Sequence, residues 1–199
     1  MKIQFLGHAG FRLSFPDPTD ASITRVIYID TFFDNPNFPA AMKDKCDDAD
    51  VILVTHGHFD HAGGAPKLVE LSKAAGKNPQ IMCTYEMMHW FAGHKDVPEA
   101  NITGGNKGSP YDFGFCQVGM VGADHSSGCP GKDGAHDVCY GGNPVGFIIK
   151  ANGITLYHAG DTGVFGDMAL IDELYEPDYA LLPIGGRFTM GPREAAFAL

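Results

Sequence analysis

The chain is poor in positive charge, has a single tryptophan and contains no long apolar run. Lys+Arg number 14 against 24 Asp+Glu, a formal charge of -10. An acidic surface repels phosphate backbones, so a nucleic-acid partner is not expected. No apolar stretch approaches the roughly 18 residues of a membrane-crossing helix. The opening Met1–His8 is interrupted by polar residues before a signal-like core forms. Neither a membrane partner nor a targeting segment is therefore expected. Cysteine is scarce too. The five (Cys46, Cys83, Cys116, Cys129, Cys139) are odd in number and include no C-x-x-C pair. That spacing argues against a disulfide scaffold and for reduced thiols in the cytoplasm.

What remains is globular. At 199 residues, 44% apolar and 19% charged, the chain fits one domain with a real core. The 26 glycines and 13 prolines announce many turns. Strand-like runs recur at Lys2–Leu6, Phe11–Phe15, Thr24–Ile29, Val51–Thr55, Gln80–Thr84, Tyr111–Val121, Val145–Lys150, Gly153–Tyr157 and Tyr179–Ile184. Val51–Thr55 is continuously apolar up to its threonine, as a strand buried on both faces would be. Helical patterns are fewer: Pro66–Ala75, Glu86–Phe91, Asp167–Leu174 and a last one opened by Pro192. The Gly-rich segment Ser126–Asn143 reads as a long loop shaping access to a site.

Chemistry concentrates in His56-Gly57-His58-Phe59-Asp60-His61. Three imidazoles and a carboxylate in six residues, directly after a buried strand, are the donors a borderline divalent cation takes. Spacing of two in an extended segment aims His56 and His58 to one side. A following turn aims Asp60 and His61 at a second point, so one loop seeds two adjacent metal positions. Chance clustering is a poor explanation with nine histidines in the whole chain. His125 and Asp161 each follow a strand pattern. Alone, either is as easily a structural residue.

In combination these residues resemble the metallo-β-lactamase superfamily: His56-x-His58-x-Asp60-His61, then His125, then Asp161, preceded by Asp30 at the end of Tyr28-Ile29-Asp30. Further stretches are similar to its small family of metal-dependent hydrolases related to the L-ascorbate-6-phosphate lactonases. They are Gly7–Phe11, Asp124–Gly128, Gly141–Pro144, His158–Gly163 and Leu182–Pro192. The resemblance covers nearly the whole chain. It implies an α/β fold, a four-layer αββα sandwich of two mixed sheets flanked by helices, as a single domain over residues 1–199. It implies two divalent cations, zinc by preference with Mn, Fe or Ni as alternatives. One position is His56, His58 and His125; the other is Asp60 and His61, with Asp161 bridging. Asp60 and Asp161 are then also the catalytic carboxylates. A bridging hydroxide attacks an ester, lactone or phosphoester bond of a small molecule. Asp30 orients a ligand histidine, and His8, in an early turn, faces the metals or the substrate.

One departure stands out. The superfamily's last motif is a further His, and none follows His158. The final helix pattern also stops at Leu199 without a cap, so the last helix-strand segment with that His is expected to be missing. Two other activities fit the scaffold: an iron-dependent dioxygenase or redox enzyme, and an RNA-processing nuclease. Against diiron chemistry stands His58, where those members carry Glu. Against the nuclease stands the acidic balance. Cys129, His136 and Cys139 are too loosely spaced for a third metal position, and nothing excludes a homo-oligomer.

Overall fold

The computed structural model describes residues 1–133 and 136–199. The first sheet begins with β1 (Lys2–Gly7), β2 (Gly10–Pro16) and β3 (Thr24–Ile29), each antiparallel to the next. Then β4 (Val51–Leu53), β5 (Gln80–Thr84) and β6 (Ile102–Gly105) add in parallel, giving the order β1-β2-β3-β4-β5-β6. Parallel neighbours need crossovers. The β3–β4 crossover holds a short 3-10 turn (Ala40–Met42), the β4–β5 crossover α1 (Phe59–Ala62) and α2 (Ala65–Ala74), and the β5–β6 crossover α3 (Tyr85–His94).

The second sheet uses β7 (Tyr111–Asp112) and β8 (Gln117–Gly122). A small separate hairpin of β9 (Gly128–Pro130) and β10 (Val138–Tyr140) follows. Then β11 (Val145–Ala151), β12 (Ile154–His158) and β13 (Tyr179–Leu181) complete the order β13-β12-β11-β8-β7. Helix α4 (Met168–Tyr175) leads into β13, and α5 (Pro192–Phe197) lies near the chain's end. Among the described residues, no helix is long and apolar enough to cross a membrane.

Side-chain alternation builds the layers. Along β3, Ile27 and Ile29 point between the sheets, where they meet Val118, Phe147 and Leu156 of the second sheet. Val26 and Tyr28 point the other way, onto Leu68 of α2 and Trp90 and Phe91 of α3. Along β11, Phe147 and Ile149 join the inter-sheet core while Ile148 packs outward with Ile171 of α4. The result is the αββα sandwich expected from the resemblance. Ile27, Ile29, Leu53 and Phe147 are fully buried. Each such side chain contributes about 1.5–3 kcal/mol relative to exposure.

Several sequence expectations need correction. The ladder of β4 stops at Leu53; Val54 and Thr55 continue buried but turn their backbone N–H groups to Met82 O and Asp30 Oδ1. Tyr111–Val121 is two strands, because Gly114 at φ 84° lets Phe113 N–H return to Cys116 O. Tyr179–Ile184 ends at Leu181, shortly before Pro183, which has no N–H for a ladder. The expected loop Ser126–Asn143 carries the β9–β10 hairpin, while its residues 134 and 135 lie outside the described residues.

Strand direction gathers the candidate residues. β1, β3 and β4 share one direction, and in the second sheet β8 and β12 share one. The segments that follow these strands hold His8, Asp30, His56–His61, His125 and Asp161, and side-chain contacts join all of them at one edge of the sandwich. His158 fastens the two halves there. Its Nε2–H donates to Ala9 O at 3.1 Å, and its Nδ1 accepts Gly160 N–H at 3.1 Å.

Candidate metal centre

Asp30 anchors the site. It sits fully buried at φ 42°, a left-handed conformation rare outside glycine and costly to hold. Its Oδ1 accepts Thr55 N–H at 2.9 Å, and its Oδ2 accepts Thr55 Oγ1–H at 2.6 Å and His61 Nδ1–H at 2.8 Å. The Thr55 hydroxyl gives its proton to Asp30, so it accepts from His56 Nδ1, 2.9 Å away. These bonds place hydrogen on Nδ1 of both His56 and His61 and turn both Nε2 atoms into the site.

The loop continues with the same logic. His56 Nε2 and His58 Nδ1 meet at 2.9 Å, and Ser126 Oγ lies 3.3 Å from His58 Nε2. Gly57 between them is required by space. A Cβ there would lie 2.4 Å from Cys129 Sγ, so the loop passes directly against β9. Gly57 N–H donates to Ser127 Oγ at 3.0 Å, and that hydroxyl donates on to Gly141 O at 3.1 Å. Ser127 therefore holds the loop and is not free for a substrate. Instead of an open turn, Phe59–Ala62 form one helical turn started by Ala62 N–H to His58 O at 2.8 Å. From that turn Asp60 and His61 reach different partners. Asp60 Oδ2 meets His8 Nε2 at 2.9 Å, while His61 Nε2 faces Asp161 Oδ2 at 3.4 Å.

Two donor groups result. One atom each from His56, His58 and His125 lie within 4.8 Å of one another, and so do one atom each from His8, Asp60 and His61. Asp30, His56 and His61 form a third such grouping, in which Asp30 is already committed to His61 and Thr55. Asp161 Oδ2 lies between the first two groups, 3.4 Å from His61 Nε2 and 3.9 Å from His125 Nε2. His136 joins no donor group among the described residues, and Cys129 lies directly opposite Cys139 in the β9–β10 ladder.

Electrostatics follow from burial and crowding. Burial, then the neighbouring His61 and His58, push His56 well below the ordinary imidazole range. Burial and His125 lower His58. Both are neutral donors near pH 7. Burial opposes charge on Asp60, but its bond to His8 and the nearby His61 keep its pKa low. Burial likewise opposes Asp161, and His61 overrides it.

These residues fit divalent cations. The donors are imidazole nitrogens and carboxylate oxygens. His61 Nε2 is buried and makes no hydrogen bond among the described residues, although its ring is fixed from the other side by Asp30. A buried polar nitrogen left without a partner costs free energy unless something binds it. Beside the donors opens a cavity of about 680 Å³. His8, Asp60 and Asp161 stand at its polar end, and Phe11, Leu181 and Phe188 contribute apolar wall. Sequence reasoning missed Thr55 and Ser127 as supports of the loop and left His158 unassigned. Nothing in their local sequence separates them from ordinary core or loop residues.

Comparison with known proteins places the fold and family. Residues 25–199 match the model of the beta-lactamase superfamily domain. A UPF0173 metal-dependent hydrolase of Thermococcus kodakarensis is 43% identical over 200 residues, spanning 100% of this chain and 79% of that protein. One from Koribacter versatilis is 43% identical over 202 residues, with 100% and 78% covered. Among solved structures, a metallo hydrolase from the archaeon Ignicoccus hospitalis superposes with TM-score 0.75 at 28% identity, covering 98% of this chain and 76% of its own. An isothiocyanate hydrolase from Delia radicum gut bacteria shares the fold, with TM-score 0.67 at 19% identity, covering 100% and 80%. On the domain match and the sequence identity together, the chain belongs to the beta-lactamase superfamily and, within it, to the UPF0173 metal-dependent hydrolases.

Proposed function

We propose that the protein hydrolyses an ester, lactone or phosphoester bond of a small molecule at a pair of divalent cations, zinc by preference. The observation that carries this reading is the pair of adjacent donor groups with Asp161 Oδ2 between them. Bound there, two divalent cations supply Lewis acidity and make hydroxide available near neutral pH.

The chain's own residues do the rest. Asp30 and Thr55 hold the His56 and His61 rings so that the donors converge without reorganisation. Asp60 and Asp161, ionised at neutral pH, accept only, and so orient an attacking water through its protons. The apolar walls of the cavity bind the body of a substrate and exclude bulk water from the carboxylate end. All five cysteines are free thiols, which supports a reducing, cytoplasmic setting.

The test is a chelator-stripped protein reloaded with Zn, Mn, Fe or Ni and assayed on p-nitrophenyl esters, lactones and bis(p-nitrophenyl) phosphate. Metal-dependent turnover of at least one class is expected. Dioxygen uptake with iron, without hydrolysis, would favour an oxygenase instead.

A further inference from the structure

The structure assigns His8 as a metal ligand of the second cation position, beside Asp60 and His61, rather than a turn residue that only touches the site. The inference rests on the dinuclear reading above and adds a donor from the N-terminal hairpin.

Four observations converge on it. His8 Nε2 lies 2.9 Å from Asp60 Oδ2, and these atoms sit with a His61 nitrogen inside a 4.8 Å group. His61 Nε2, buried and without a hydrogen bond, faces Asp161, which lines the same cavity as His8 and Asp60. A simple His8–Asp60 ion pair leaves that nitrogen without a partner, whereas a cation among the three, taking the place of its proton, occupies it. His8 also holds φ 56°, a left-handed conformation unfavourable for a residue with a Cβ. Strained backbone of this kind persists where the surrounding structure over-determines it, commonly at functional sites. Finally, the ring has aromatic neighbours and its turn is tied down. It meets Phe32 edge-on at 5.8 Å and His61 edge-on at 5.1 Å, and the turn is tied to the second sheet through Ala9 O and His158. These contacts already hold the ring beside Asp60 and His61, where a ligand would stand. With two imidazoles and one carboxylate, the group suits zinc or another borderline divalent cation.

The experiment counts metal. The protein is loaded with zinc, dialysed and analysed by plasma mass spectrometry, alongside His8→Asn, His8→Gly and His56→Ala. Asn and Gly both tolerate the left-handed turn, so they remove the donor without breaking the hairpin. Thermal melts followed by circular dichroism verify folding. We expect about two ions per chain in the wild type and about one in His8→Asn and His8→Gly. Added imidazole should restore the second ion to His8→Gly, an effect no purely structural role would produce. If both His8 variants keep two ions at wild-type affinity, His8 is not a ligand, although the dinuclear reading stands. If the wild type takes up a single ion that His56→Ala loses and His8→Asn keeps, both the inference and the dinuclear reading fail.

Discussion

Thr55 Oγ1 lies 2.6 Å from Asp30 Oδ2 while its other side receives His56 Nδ1 at 2.9 Å. One buried carboxylate thereby orients two imidazoles, His61 directly and His56 through the threonine hydroxyl. Both rings must carry hydrogen on Nδ1, so both Nε2 atoms are available as donors. The whole relay is buried, where polar bonds are strong and an unpaired group is expensive.

Thr55→Val keeps shape but removes the relay. We expect zinc affinity to fall about 10–100-fold, the usual cost of losing a group that orients a ligand. Thr55→Ser should remain near wild type. Calorimetric zinc titration measures both; equal affinity in Thr55→Val would show that the hydroxyl does not orient His56.

Asp161→Asn preserves volume and removes the charge between His61 and His125. We expect kcat to drop by about 10²–10³-fold, the scale of one lost electrostatic partner in a desolvated site. Fold and melting temperature should change little. Full turnover in this variant would remove Asp161 from the reaction.

Metal uptake should depend on pH through His61. Burial opposes charge on that ring, but Asp30 and Asp161 prevail and raise its pKa from 6.5 to about 10. A cation at Nε2 must displace the proton. Its apparent affinity therefore rises about tenfold per pH unit up to that value, instead of levelling off near an ordinary imidazole pKa. The same shift stabilises the metal-free fold fully below pH 6.5, and that contribution is lost as pH climbs through about 10. Scanning fluorimetry of stripped and zinc-loaded protein from pH 6 to about pH 10 should show the decline in the stripped form alone.

Gly57→Ala places a methyl 2.4 Å from Cys129 Sγ. Overpacking of this kind costs about 1–3 kcal/mol. Adding Cys129→Ala should return part of that stability, since the sulfur is the nearest obstacle, while Cys129 N at 3.1 Å remains close. Denaturant melts of the double-mutant cycle test the contact; strictly additive effects would mean the two residues do not touch.

How far the site was legible varies by residue. His56, His58, Asp60 and His61 stand together in sequence, so their common chemistry shows without any fold. Asp30, His125 and Asp161 became readable through the resemblance, because an isolated Asp or His at a strand end is ordinary. Ile102–Gly105 went unread as a strand since two glycines dilute its β pattern. The three-residue strands β9 and β10 are too short to show alternation.

The chain's apolar strand runs determined by themselves that it would form sheets with buried faces, and its clustered imidazoles determined that one loop would carry the donors a divalent cation takes. Both are local properties, set by the side-chain period and by donor chemistry. Only the packed sandwich decided that His8 would face Asp60, that Thr55 would join Asp30 to His56, and that His158 would tie the first hairpin to the second sheet. Those partners depend on strand direction, register and the meeting of two sheets, and no short stretch of sequence encodes a distance between segments so far apart along the chain.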